Sequence, residues 1–232
     1  MMNRLLSIIW LRIRQIITNP QFLLLLLLPY LFVIIYKKGF PEGQMPNEVI
    51  LFICIPIIFT LSVGNLTLNI VSEEKEKNNI KDLYLSGVQN IEYIIATLII
   101  PLLFGIAGLI IVPQIINYNI YSDTISYFTI SILTMLSIAL INLFLAIISS
   151  TVSQATVISL PIMLLTMLLP MLSMINDNIE KYIRYTFMGS FYEYFSVADS
   201  FKFTNVSFIS LLVWIFLFTI AISYKFNKIK SK

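Results

Sequence analysis

The sequence predicts an all-α, polytopic membrane protein with six transmembrane helices. A helix at the N-terminus, a short helix between spans two and three, and a helical segment before span six complete it. Three observations carry this prediction. Thr124 to Asn176 is a run of 53 residues without Asp, Glu, Lys, Arg or His. A crossing of a bilayer core needs roughly 20 apolar residues, so this run holds two crossings and a tight turn. The whole chain of 232 residues is 58% hydrophobic and 12% charged, against about 25% charged in soluble domains. Six apolar segments follow one another with no linker or internal repeat between them.

Residues 4–17 read as a helix. Leu5, Leu6, Ile8, Ile9, Ile13, Ile16 and Ile17 are interrupted by Arg4, Arg12 and Arg14, and Trp10 suits the headgroup layer. The pattern fits a helix lying in the interface plane on the side with anionic lipids. The alternative is a cytoplasmic extension of the first span. Asn19-Pro20 argues against it, because the residue before proline disfavours helix and proline suits a first helical position. No signal peptide is expected, since Arg12 and Arg14 break the apolar stretch and no small-residue cleavage site follows.

The spans are expected at about 21–36, 49–71, 93–116, 125–149, 155–175 and 206–224 within a single domain, 1–232. Pro29, Pro56, Pro101, Pro161 and Pro170 fall inside them and predict kinks. Gly105, Ala107 and Gly108, and the Ser149–Ser159 region, mark surfaces where helices approach closely. The loop 72–92 and the segment 176–205 are the two long non-membrane stretches. With the N-terminus inside, Arg4, Arg12, Arg14, Lys75, Lys77, Lys81, Lys225, Lys228, Lys230 and Lys232 are cytoplasmic. Lys37, Lys38, Lys181, Arg184 and Lys202 are then outside. That bias favours both termini in the cytoplasm and an even number of spans, with Lys37 and Lys38 as a mild violation.

Several chemistries are excluded or disfavoured. The expected spans hold no ionisable side chain, which argues against a proton-coupled carrier. They offer no nucleophile–base pair, carboxylate pair or metal cluster, so the chain is not expected to be an enzyme. There is no histidine, and Cys54 is the sole cysteine, so no intrachain disulfide can form and no metal site is expected. No Walker A pattern occurs, so any ATP would be hydrolysed by another subunit. A net charge of +3 is too small to point to nucleic acid.

In the loop after the second span, Ile80, Leu83 and Tyr84 share one helical face, and Glu73, Glu76, Lys77, Lys81 and Asp82 supply the polar surface. Ser86-Gly87 should end this helix, and Asn90 can cap the next. Taken alone, such a loop is most simply a solvated connection. Its order, however, reads Glu74-Lys75-Glu76-Lys77, then Ile80-Lys81-Asp82-Leu83-Tyr84-Leu85-Ser86-Gly87-Val88, then Glu92-Tyr93. This resembles the corresponding loop of ABC type-2 exporter permeases, which reads E-[KR]-E-[KR]-G-T, an acidic-apolar helix, [ST]-[PG]-V and E-[YF]. The layout of the rest of the chain is similar too. Asn78-Asn79 stands where Gly-Thr is usual, and Gly87 where proline is commoner.

The resemblance implies a transmembrane subunit paired with a second permease, identical or homologous, on two ABC ATPase subunits that bind ATP and Mg. The chain itself would bind no cofactor. Loop 72–92 would be the coupling loop, with Glu74, Glu76, Ile80, Asp82, Leu83, Ser86 and Gly87 making or shaping the ATPase contact. Arg12 and Arg14 of the N-terminal helix would touch it as well.

The segment 176–205 carries nine aromatics in thirty residues. It reads as a re-entrant or interfacial helical pair. A compatible reading makes Phe187, Phe191, Tyr194 and Phe195 an outer gate where two copies meet. Asn65, Thr67, Asn69, Asn142 and Thr166 are the polar side chains expected to line a substrate cavity between two permeases, although helix–helix hydrogen bonding is the commoner use of such residues. An uncharged cavity suits amphipathic or hydrophobic substrates: peptide toxins, antimicrobial peptides, drugs or lipid-linked compounds. Membrane lipids are the other expected partners. The Ile, Asn and Lys usage fits an AT-rich, Gram-positive bacterial source. The alternative function is a non-transporting immunity or scaffold protein. A Na⁺-coupled carrier ranks last, because no inverted repeat is visible.

Overall fold

The computed structural model describes residues 2–39, 46–118, 124–173, 177–196 and 201–230, and among these every regular element is helical. In chain order the helices are α1 (Met2–Thr18), α2 (Pro20–Gly39), α3 (Asn47–Ile58), a π-helical segment (Phe59–Asn65), α4 (Leu66–Glu76), α5 (Asn79–Leu85), α6 (Asn90–Ile116), α7 (Thr124–Ile148), α8 (Val152–Ser173), α9 (Asp177–Ile183), α10 (Gly189–Ser196) and α11 (Val206–Lys230). Helix α3, the π segment and α4 run on as one span of 30 residues. With α2, α6, α7, α8 and α11 this makes six helices among the described residues long and apolar enough to cross a bilayer, as a multi-pass membrane protein requires. Each of the six expected spans coincides with one of these helices, the first and second longer at both ends; residues 174 and 175 of the expected fifth span lie outside the described residues.

The bundle has a layered order. The α3–α4 span and α7 are mostly buried, α6 is half-buried, and α2, α8 and α11 turn most of their surface outward. Their outward side chains include Leu24, Leu27, Leu164, Leu168, Phe216 and Ile220, which suit hydrocarbon. Lipid tails are as apolar as leucine, so lateral packing depends on close fit rather than on removal from water. Glycines supply that fit. A Cβ at Gly105 of α6 would overlap the Met135 Sδ of α7 and lie 2.8 Å from Val63, and a Cβ at Gly64 would lie 2.7 Å from Asn142 Nδ2. Central α7 thus seats against the π segment and α6.

The π segment was not foreseen. Proline cannot donate a backbone hydrogen bond, and the wide turn starts three residues after Pro56. The Thr60 hydroxyl donates to the Pro56 carbonyl at 2.7 Å. Helix α1 is two-faced: Ile8, Arg12 and Ile16 point into the protein, while Leu6, Trp10 and Ile17 are exposed. Helix α10 enters the bundle with Phe191 fully buried. Helix α1, α5 and the last turns of α11 lie at one end of the bundle, joined by Arg4–Gly87 and Asn90–Asn227 hydrogen bonds.

Replacing Gly105 with valine forces Met135 and Val63 apart and is expected to lower stability by about 1–3 kcal/mol, the usual cost of overpacking. Gly39→Ala, with open space around its Cβ, is expected to leave thermal unfolding in detergent unchanged. Equal behaviour of the two variants would contradict the close approach of α6 and α7.

Candidate functional site

The acid–base run at the end of α4 organises this end of the bundle. Successive helical residues point about 100° apart, so Glu74, Lys75 and Glu76 address three different neighbours. Glu74 turns toward α1 and α6, Lys75 toward the end of α7, and Glu76 toward the start of α8.

Glu74 is 3% exposed and Arg12 of α1 is 0% exposed. Arg12 Nη2 donates to Glu74 Oε2 at 2.8 Å, and Arg12 Nη1 makes a second, shorter bond to Oε1. Nη2 also donates to Thr97 Oγ1 at 3.0 Å. The Tyr93 hydroxyl donates to Glu74 Oε2 at 2.8 Å, and the guanidinium carbon lies 5.4 Å from the Tyr93 ring centre. Burial works against the Arg12 charge, but the Tyr93 oxygen and the Glu74 carboxylate outweigh it, and the guanidinium pKa lies above its ordinary value. A two-pronged guanidinium–carboxylate pair fixes angle as well as distance.

Lys75 Nζ donates to the carbonyls of Ile147 and Ser149, where α7 ends. Those carbonyls have no partner within the helix, and a cation there complements the helix dipole. Glu76 accepts the Val152 N–H at 2.7 Å, capping the N-terminus of α8 with a negative charge. Lys77 pairs with Glu73 one turn back along the helix.

Helix α5 stands on this base. Asn78 has φ +61° and starts it; asparagine is one of the few residues that visits this left-handed region. At the far end Gly87 has φ +85°. The Gly87 N–H bonds the Tyr84 carbonyl at 3.0 Å and the Val88 N–H bonds the Leu83 carbonyl at 3.2 Å, a Schellman closure. Arg4 Nη1 donates to the Gly87 carbonyl at 2.8 Å. Helix α1 thus holds both the start of the turn into α5, through Arg12, and its exit, through Arg4. Tyr84, Tyr93 and Phe226 of α11 form an aromatic triangle with centroids 5.4–6.4 Å apart.

Within the single chain the residues expected at a partner contact stand as follows. Arg12 and Glu74 are buried and paired with each other, and Arg14 is exposed. Glu76 is exposed but caps α8. Ile80 is buried under α5 and Leu83 is half-buried, whereas Asp82, Ser86 and Gly87 are exposed. The cap of α6 is Gln89, whose N–H bonds Glu92 at 2.9 Å, while Asn90 Nδ2 bonds Asn227. Leu85 lies off the Ile80–Leu83–Tyr84 face and is 79% exposed. Its place directly before Ser-Gly was the available signal.

The five polar residues expected to line a cavity between two permeases have these places within the single chain. Asn69 Nδ2 bonds Asn65 Oδ1 at 2.9 Å, and Asn69 lines a cavity of about 330 Å³ at the α5 end. Asn142 is seated against Gly64 with its Nδ2 on the Ile138 carbonyl, and Thr166 bonds the Ile162 carbonyl. Thr67, Asn142 and Thr166 are at most 2% exposed, so helix packing closes them off within a single chain. The aromatic segment likewise packs inward. Phe191 lies 6.0 Å from Phe52, 5.6 Å from Phe59 and 4.8 Å from Phe195, and Tyr194 lies 6.3 Å from Tyr127, centroid to centroid. Phe187 meets Trp214 at 6.0 Å. Within the single chain these rings pack into their own bundle, and Glu193 ties α10 to the start of α11 through Asn205 and Ser207.

No family model matches the chain, and neither a curated protein nor a solved structure matches it.

Removing one partner of the buried pair leaves the other charge uncompensated. Arg12→Met or Glu74→Leu alone is therefore expected to cost about 3–5 kcal/mol. The double variant is expected to cost less than either single change. Thermal or denaturant unfolding of the four proteins in the same detergent gives the coupling; additive costs would show that the pair is not the joint.

Proposed function

We propose that this chain is the membrane subunit of an ATP-driven ABC type-2 exporter. It would move amphipathic or hydrophobic substrates, peptide toxins and antimicrobial peptides among them, out across a plasma membrane. ATP and Mg belong to a separate ATPase subunit, which docks on α5. Both termini face the cytoplasm, and the chain works with a second permease, identical or homologous. A Gram-positive bacterial source suits this role.

The observation that carries the reading is the build of α5. It is a short helix between two spans, stopped at both ends by left-handed residues, with Lys81, Asp82, Leu85 and Ser86 exposed on its outer side. Its inner side is bound through α4 to α1, α6, α7 and α8. A load applied to α5 is thereby shared by most of the bundle, which is what a transmission element requires. Seating the exposed Leu85 in a groove on another protein would remove its apolar surface from water. The positive φ at Asn78 adds support. This is the position where the family's loops carry glycine, and asparagine meets the same backbone demand. Leu83, Ser86, Val88 and the α1 residues Arg4, Ser7 and Leu11 line a shallow groove of about 390 Å³ beside it, a second surface for the same partner.

The test is co-purification of a tagged chain from native membranes under mild detergent. The wild type is expected to bring down a cassette ATPase. Leu85→Glu, which touches no buried group, is expected to lose it with unfolding temperature unchanged. Absence of an ATPase from the wild-type sample would remove the energy source and favour the non-transporting scaffold.

A further inference from the structure

Two cavities adjoin where α1 ends and α2 begins. The larger, about 530 Å³, lies between the end of α1, the start of α2 and the turn into α5. The smaller, about 330 Å³, lies between the start of α2, α4 and the start of α8. Asn19, Glu73 and Lys77 line both, so the two make one trough.

Its charges balance once Glu74, which also lines the larger cavity, is set against its buried partner Arg12. Arg14 lines the larger cavity and Glu76 the smaller, while Lys77 and Glu73 stand where they meet. Arg14 has no ion-pair partner among the described residues. The Lys77–Glu73 pair is exposed on the lysine side, so it can re-pair with a ligand at little cost in desolvation. The depth is defined too. Spans α2 and α8 start here, at Pro20 and Val152, so the trough sits where the helices pass from water into hydrocarbon. Directly beyond it α2 exposes Leu23, Leu24 and Leu27, and α8 exposes Val157 and Leu160.

We propose that this trough holds the headgroup of a zwitterionic phospholipid bearing a primary amine, one molecule per chain. The phosphodiester lies toward Arg14 and Lys77, and the ammonium toward Glu73 and Glu76. Charge-assisted hydrogen bonds of both signs are then satisfied together. A headgroup without an amine leaves two carboxylates facing a phosphate, and a cation alone leaves Arg14 uncompensated. The acyl chains run along the exposed leucines of α2 and the apolar flank of α8. The site stands independently of the exporter reading.

The full-length chain is purified from membranes supplemented with phosphatidylethanolamine or phosphatidylglycerol, stripped with mild detergent and weighed by native mass spectrometry. One phosphatidylethanolamine per chain is expected to survive, with phosphatidylglycerol lost. Arg14→Gln is expected to weaken retention about tenfold, the worth of one hydrogen bond to a charged group. Glu76→Gln, whose amide oxygen still caps α8, is expected to weaken it as well. Lys81→Gln, outside the trough, is expected to change nothing. Unfolding temperatures confirm that each variant is folded. Equal retention of phosphatidylglycerol would overturn the proposal, as would full retention by folded Arg14→Gln. Displacement of the bound lipid by millimolar O-phosphoethanolamine would also overturn it, assigning the trough to a soluble headgroup.

Discussion

The Arg12–Glu74 pair is the interaction on which one end of this protein depends. Both charges are almost wholly buried. A charge in that position is tolerated only with a partner of opposite sign and further hydrogen bonds, which Tyr93 and Thr97 supply. Replacing such a pair with apolar residues often preserves stability. Its distinctive property is direction. It admits one relative orientation of α1, α4 and α6, and that orientation fixes where α5 projects.

The neighbouring residues extend the same logic with cheaper interactions. Lys75 and Glu76 use the unpaired carbonyls at the end of α7 and the unpaired amides at the start of α8. Helix ends must satisfy these groups somehow. Here they are satisfied by a third helix, so the end of α7 and the start of α8 meet on one turn of α4. The opposite end of the bundle is held differently, by ring-to-ring packing of α10 against Phe52, Phe59 and Tyr127.

Much of the fold was legible in the sequence because it depends on composition and local chemistry. Apolar run length gave six spans, Asn19-Pro20 separated α1 from α2, and Ser86-Gly87 closed α5. The site was legible only in outline. The run Glu74-Lys75-Glu76 announced itself, but not its partners, because Arg12, Ile147 and Val152 lie far away in the chain and no local pattern encodes such pairings. For the same reason no local pattern reveals that Arg12 is buried against Glu74 or that Asn142 sits against Gly64. The tertiary packing that buries them has no signature in a single sequence. Leu85 was hidden by a simpler cause: a periodicity argument finds the face that packs and passes over the residue that does not.

The π segment at Phe59–Asn65 bears on all of this through rotation. A helix turns about 100° with each residue. A wide turn that takes up one more residue therefore re-aims everything downstream by nearly a third of a revolution without lengthening the span appreciably. The bearings of Glu74, Lys75 and Glu76 are set against α1, α7 and α8, while those of Phe52 and Phe59 are set against α10. The segment between them is the phase adjuster that lets a single rod satisfy two unrelated sets of neighbours. A second span wound as a regular α-helix throughout could meet one set only, and the charged turn or the aromatic plug would face the wrong way.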